Sequence, residues 1–296
     1  MRWRDGRRSE NVEDLRGRNV GGGGFGGRGA GFGIGSLIVV AAGYFLGVDP
    51  RLLMGLLDGG DASGGATQSA PQPTSKPSDD PGDYATTVMG LTEEVWGQIF
   101  QASGQKYTPP RLALFNAETR GSSGCGPLST EAGPFYCPAD HKVYIDLDFF
   151  QELVTRFGGP SDATQVGSFA QAYVIAHEVG HHVQTLTGIS DRIRQSQQRA
   201  SEEEQNALQV RMELQADCFA GVWAHYEQDR LDAGDLDSGL AAAAAVGDDR
   251  IQKKMQGRVT PESFTHGSAE QRQRWLRNGY RNGKVEDCDT LNARTL

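Results

Sequence analysis

A chain of 296 residues is long enough for one sizeable domain plus appendages. Its formal net charge of −9 argues against a nucleic-acid partner. Residues 1–29 run against that acidity. They carry Arg2, Arg4, Arg7, Arg8, Arg16, Arg18 and Arg28 among many glycines and few apolar residues. Such a stretch cannot build a core and reads as a disordered Gly/Arg-rich arm.

An uncharged apolar run follows from Ala30 to Val48. About 19 residues suffice to cross roughly 30 Å of hydrocarbon, so the run reads as one transmembrane helix. Leu52–Leu57 extends it along the interface, to residue 57. The arginines precede the span and only Arg51 follows closely. The positive-inside rule then places the N-terminus in the cytoplasm and the bulk of the chain outside. Residues 58–83 are mostly Gly, Asp, Ser, Ala, Pro and Thr without periodicity, which reads as a flexible linker.

Residues 84–296 are the expected globular domain. Leu91–Gln101 is amphipathic, with Thr92 as candidate N-cap. Arg111–Phe115, Phe135–Tyr136 and Lys142–Leu147 read as strands, separated by a Gly/Ser/Cys loop from Gly121 to Pro134. Asp148 opens a helix. In Phe169–Gly188, apolar residues recur at three and four positions and Gly188 is placed as a stop.

That helix carries His177-Glu178-Val179-Gly180-His181. Residues four apart on a helix have Cβ atoms roughly 5–6 Å apart, so both imidazoles can aim at one point. This suits tetrahedral Zn²⁺, one per chain, bound at about 2.0–2.1 Å. Glu178 sits about 100° around the helix, where it can take a proton from a zinc-activated water as general base. Gly180 costs about 1 kcal/mol relative to Ala inside a helix, which points to a packing reason.

A catalytic zinc needs a third protein ligand. Gln184 stands where an H-E-x-x-H-x-x-G-x-x-H extension requires Gly. The downstream helix Arg211–Trp223 offers Glu213 and Asp217 at i, i+4, on a face shared with Ala216 and Ala220. Glu213 is the candidate ligand. Asp217 is the candidate acceptor for the outer N–H of a ligand histidine. The reverse assignment, Asp217 on the metal, is the rival.

Further on, Leu240–Ile251 contains an alanine run that reads as a packed helix, with Asp248-Asp249-Arg250 as an ion-paired helix end. Ser268 with Gln271 fits a capping box. His266 just before it either reaches the cleft, to stabilise the oxyanion of a tetrahedral intermediate, or bonds locally in its loop. His141, His182 and His225 are read as structural. Cys125, Cys137, Cys218 and Cys288 form an even set without a C-x-x-C spacing, favouring disulfides over a Cys₄ metal site. Of three pairings, Cys125–Cys137 and Cys218–Cys288 are favoured.

The run H-E-V-G-H-H-V-Q, then E-L-Q-A-D-C-F-A-G-V-W, resembles the bacterial neutral zinc metallopeptidase family, membrane-anchored and gluzincin-like. Met1-Arg-Trp with Asn11–Asp14, Gly133–Pro138, Val143–Asp146, Gly247–Ile251 and Thr265–Ser268 extend the likeness over nearly the whole chain. The resemblance implies an α+β, zincin-like domain, mostly helical with a small sheet, behind one N-terminal transmembrane helix. It implies His177, His181 and Glu213 as ligands, Val143–Asp146 as the edge strand that pairs with substrate, and a functional His266. The expected protein is a zinc endopeptidase acting on peptides or proteins, attached to the lipid bilayer through residues 30–48. Its expected location is the cell membrane, single-pass, with an extracytoplasmic catalytic domain. The alternative is a zinc-stabilised extracytoplasmic binding or assembly module without catalysis. Oligomeric state is not legible.

Overall fold

The computed structural model describes residues 1–20, 77 and 79–296. Two strands come first, β1 (Val12–Asp14) and β2 (Asn19–Val20), and then helix α1 (Asp80–Ala102). The strands β3 (Arg111–Phe115), β4 (Arg120–Ser123), β5 (Gly126–Pro127), β6 (Phe135–Cys137) and β7 (Lys142–Asp146) follow. The rest is helical: α2 (Phe149–Thr155), α3 (Phe169–Leu186), α4 (Ile189–Gln197), α5 (Glu202–Tyr226), α6 (Asp235–Ala245), α7 (Asp248–Gln256) and α8 (Ala269–Asn282). The architecture is mixed α+β and mostly helical.

The main sheet has the order β1-β3-β7-β6. Strands β1, β3 and β7 run parallel, and β6 is antiparallel to β7. Side chains alternate across a strand, and that alternation divides the core. Leu112, Leu114, Val143 and Ile145 face the helices. Ala113, Phe115 and Tyr144 face the other way, onto Phe135, Cys137 and Leu15. The expected edge strand is thereby corrected. Val143–Asp146 belongs to β7, which is flanked on both sides, and the edge beside the helical layer is β6.

Helix α1 starts well before Leu91. Asp79 occupies the N-cap position, proline stands in the first turn, and Asp80 and Asp83 place negative charge at the helix N-terminus. Thr92 is an interior residue whose hydroxyl donates to the Met89 carbonyl at 2.7 Å. The helix therefore begins at Asp80, before the expected domain start at residue 84.

The disordered arm expected over residues 1–29 is corrected for residues 1–20, and residues 21–29 lie outside the described residues. Residues 1–20 are folded onto the domain. The Leu112 amide donates to the Asn11 carbonyl and the Leu15 amide to the Leu114 carbonyl, both at 2.8 Å. Trp3 is buried edge-on against Tyr84, with ring centroids 5.2 Å apart. A Cβ on Gly90 of α1 would lie 2.2 Å from the Arg7 carbonyl oxygen, so only glycine lets the two backbones approach. The arginines that suggested an unstructured tail have carboxylate partners. Arg8 binds Asp83 through two contacts, at 3.0 and 2.7 Å, and Arg7 pairs with Glu93. Arg16 bridges Asp14 and Asp79.

Among the described residues no helix is long and apolar enough to cross a membrane. The span expected at Ala30–Val48, its extension to residue 57 and most of the 58–83 linker lie outside them. Both favoured disulfides, Cys125–Cys137 and Cys218–Cys288, are present.

Candidate metal centre

Two long helices build the site. Ser168 caps α3, its hydroxyl accepting from the Ala170 amide at 3.2 Å. Ser201 and Glu204 close a capping box on α5, so the charged run from Glu202 is the first turns of the helix that carries Glu213. The helices touch at Gly180, where a Cβ would meet the Ala216 carbonyl oxygen at 3.0 Å and its Cα at 3.1 Å. That close approach is the packing reason for a glycine in mid-helix, and it brings Glu213 across to both histidines.

Glu213 Oε2 lies 3.3 Å from His177 Nε2 and 3.5 Å from His181 Nε2. Ligand atoms from all three residues lie within 4.8 Å of one another. A tetrahedron with bonds of about 2.0–2.1 Å has edges of about 3.3–3.4 Å, so the two distances from the carboxylate fit zinc. The donor set, two imidazoles and a carboxylate, is also one that zinc accepts.

The hydrogen bonds behind the rings fix how they point. His177 Nδ1 donates to Asp217 Oδ1 at 2.9 Å. His181 Nδ1 donates to Gln184 Oε1 at 2.9 Å. The Gln184 amide nitrogen is engaged by the Met212 carbonyl at 2.8 Å and Gln215 Oε1 at 3.1 Å, so its oxygen must face His181. Both Nε2 atoms are thus left as the metal-directed acceptors. Asp217 stands behind His177 at Nδ1, whereas Glu213 lies beside both Nε2 atoms.

Asp217 is fully buried and is held by Arg272. The guanidinium donates to Oδ2 at 2.8 Å and to Oδ1 at 2.9 Å, and also to the Tyr173 hydroxyl at 3.1 Å. Burial works against the Asp217 carboxylate, but Arg272 and His177 outweigh it and hold it at about 2. Burial likewise opposes a charged His177, yet Asp217 and Glu213 raise it to about 10. Glu213 is held well below the usual carboxylate range, because the two histidines overcome its desolvation. The cluster attracts positive charge where a cation would be bound.

Glu178 is buried beside this cluster and lines the same cleft, a space of about 160 Å³. The cleft is bounded by Gly133, Pro134 and Phe135 at the start of β6, by Phe149 and Val174, and by His266. His266 is placed by Asp248, whose Oδ2 accepts the backbone amides of Thr265, His266 and Gly267 at 2.8, 2.6 and 3.0 Å. Asp248, the first residue of α7, therefore organises this loop and also lies 3.3 Å from His266 Nδ1. Burial disfavours an imidazolium at His266, but Asp248 near Nδ1 and the charge of Glu213 raise its pKa.

The structure thus gathers His177, Glu178, His181, Glu213 and His266 around one cleft, with Asp217 buried behind His177. Sequence reasoning missed Tyr173, Gln184, Asp248 and Arg272 as supports. Only Gln184 gave a local hint, three residues beyond His181. The others act over long sequence separations. His182 is structural: its Nε2 donates to the Thr108 carbonyl at 2.7 Å and its Nδ1 accepts from the Tyr136 hydroxyl at 3.0 Å.

Two histidines one helical turn apart and a carboxylate from a second helix, with a glutamate beside them, form a cluster of the HExxH pattern that could hold a metal ion. The family model described as "putative neutral zinc metallopeptidase" matches residues 1–291, and the chain belongs to that family. The chain is 46% identical over 300 residues to the uncharacterized protein YpfJ of Escherichia coli (strain K12), covering 98% of this chain and 99% of that protein. It is 48% identical over 202 residues to the uncharacterized protein Rv2575 of Mycobacterium tuberculosis (strain ATCC 25618 / H37Rv), covering 64% of this chain and 65% of that one. No solved structure matches.

Proposed function

We propose that this protein is a zinc-dependent endopeptidase, held at the membrane through residues 30–48 with its catalytic domain outside the cytoplasm. The observation that carries the reading is the convergence of His177 Nε2, His181 Nε2 and Glu213 Oε2, with Glu178 beside them. Zinc held by these three residues supplies a Lewis acid that acidifies water and polarises a carbonyl.

The chain's own residues supply the rest. Glu178 takes a proton from the attacking water and delivers it to the leaving amine. His266, placed by Asp248, donates a hydrogen bond to the oxyanion. An extended substrate adds to the outer edge of β6, where main-chain pairing gives affinity without strong side-chain selection. Phe149, Leu153, Val174 and Val246 form an apolar wall beside Glu178, which favours an apolar residue next to the scissile bond. Two disulfides support an oxidising compartment.

The test uses the full-length, zinc-loaded protein in detergent with a mixture of unfolded proteins. New termini are read by mass spectrometry, with Glu178→Gln in parallel. Wild-type termini enriched in apolar neighbours are expected. Glu178→Gln should lower turnover about 10²–10⁴-fold while zinc remains bound one to one. Equal activity in both proteins removes Glu178 from the mechanism. No cleavage by either, with zinc bound, favours a binding module.

A further inference from the structure

The charges before the apolar run look like an orientation signal, yet in the folded protein they are structural. β1 is a strand of the main sheet, parallel to β3 over three residue pairs, Val12 with Leu112 through Asp14 with Leu114. β2 pairs with β4. The segment is tied to α1 throughout. Ser9 hydroxyl and Asn11 amide donate to the buried Glu93 carboxylate at 2.6 and 2.9 Å. Arg8 forks onto Asp83. Arg16 reaches Asp79, the residue before α1, at 2.7 and 2.9 Å.

The segment also supports the metal-site helix. Trp3 packs on Tyr84, and the Tyr84 hydroxyl donates to the carbonyl of Ser168, the N-cap of α3, at 2.7 Å. A sheet and its hydrogen bonds cannot be shared across a bilayer, since unpaired backbone groups have no partners in hydrocarbon. A single crossing between residues 20 and 79 would separate β1 from β3.

We infer that residues 1–20 and 79–296 fold together on one side of the membrane, and that the arginine-rich N-terminal stretch is a strap bracing the metal-site helix, not a tail in the opposite compartment. This holds whether or not the domain cleaves peptides. It corrects the single-pass topology with a cytoplasmic N-terminus, because Arg7, Arg8 and Arg16 are matched by carboxylates of the domain itself.

The test is sidedness in the full-length chain. Glu10 and Glu203 are exposed, and all four native cysteines are in disulfides, so Glu10→Cys and Glu203→Cys each introduce one addressable thiol. Each variant is treated in sealed vesicles of known orientation with a membrane-impermeant maleimide. Labelling of both thiols from the same side is expected. Labelling from opposite sides overturns the inference. Trypsin added to the purified full-length protein supplies an independent readout of docking. Cleavage after Arg7, Arg8 and Arg16 should be at least about tenfold slower than in Gly90→Val, where the added side chain displaces the strap. Equally fast cleavage in both proteins overturns the bracing role.

Discussion

The α3–α5 pair and the N-terminal strap are held by different physics. The helix pair is joined by contact between small residues, Gly180 on Ala216, and by a buried polar network from His177 through Asp217 to Arg272. The strap is joined by five ladder pairs, three to β3 and two to β4, by one buried tryptophan and by contacts of Arg7, Arg8 and Arg16 with carboxylates of α1 and its N-cap. The first arrangement fixes atoms at a metal centre, where an error of an ångström matters. The second fixes only the position of a strand, so it tolerates solvated pairs that each contribute little.

The contrast breaks or sharpens under mutation. Arg272→Met has the largest expected effect, because it leaves Asp217 buried and unpaired. A loss of about 3–5 kcal/mol is expected. For a domain of this size that corresponds to a fall in Tm on the order of 10 °C. Zinc affinity should fall with it, as His177 loses its oriented partner, and zinc titration alongside calorimetry reads both. Trp3→Ala should follow at about 3 kcal/mol, the low end for a buried aromatic. A cost below about 1 kcal/mol in thermal unfolding would mean that the strap contributes little, and the comparison would collapse.

Acid titration separates the two regions. Burial lowers the pKa of His182, on α3, to about 4. Its contribution is complete above about 6.5 and is lost as pH falls through about 4. Burial raises Asp146, on β7, to about 6. Its contribution is complete below about 3.8 and is lost as pH rises through about 6. The two oppose each other between those limits. Asp146→Asn should therefore steepen the loss of Tm from pH 6.5 to 4, and His182→Gln should reduce it. Asp79 and Asp83, the α1 carboxylates that pair with the strap, are held below their usual value by Arg16 and Arg8. They should give way only at more acidic pH. The smallest effect is expected for Arg8→Ala, whose exposed pair with Asp83 contributes roughly 0.2–1 kcal/mol in urea unfolding.

The metal-site residues were legible because their signals are local. His177, Glu178 and His181 stand on one helix, and Glu213 and Asp217 are one turn apart on another. Arg272 and Asp248 were not legible, because their partners lie 55 and 18 residues away in sequence. The order of strands in the sheet is equally non-local. Val143–Asp146 has the pattern of a strand but nothing in it says that β6 covers one flank and β3 the other. The strap was misread because composition predicts a core only from apolar content. Here one tryptophan, one valine and one leucine sufficed once β3 offered an edge.

One bond at the end of the chain reaches further than its position suggests. Cys288 is joined to Cys218 on α5, and its carbonyl accepts from Gln215 Nε2 at 2.9 Å. Gln215 Oε1 then accepts from Gln184, whose oxygen sets the tautomer of His181. The electron balance of the surroundings is thus wired to the orientation of an imidazole. Material produced under reducing conditions would keep every candidate ligand in its sequence, yet should bind zinc less tightly than oxidised material.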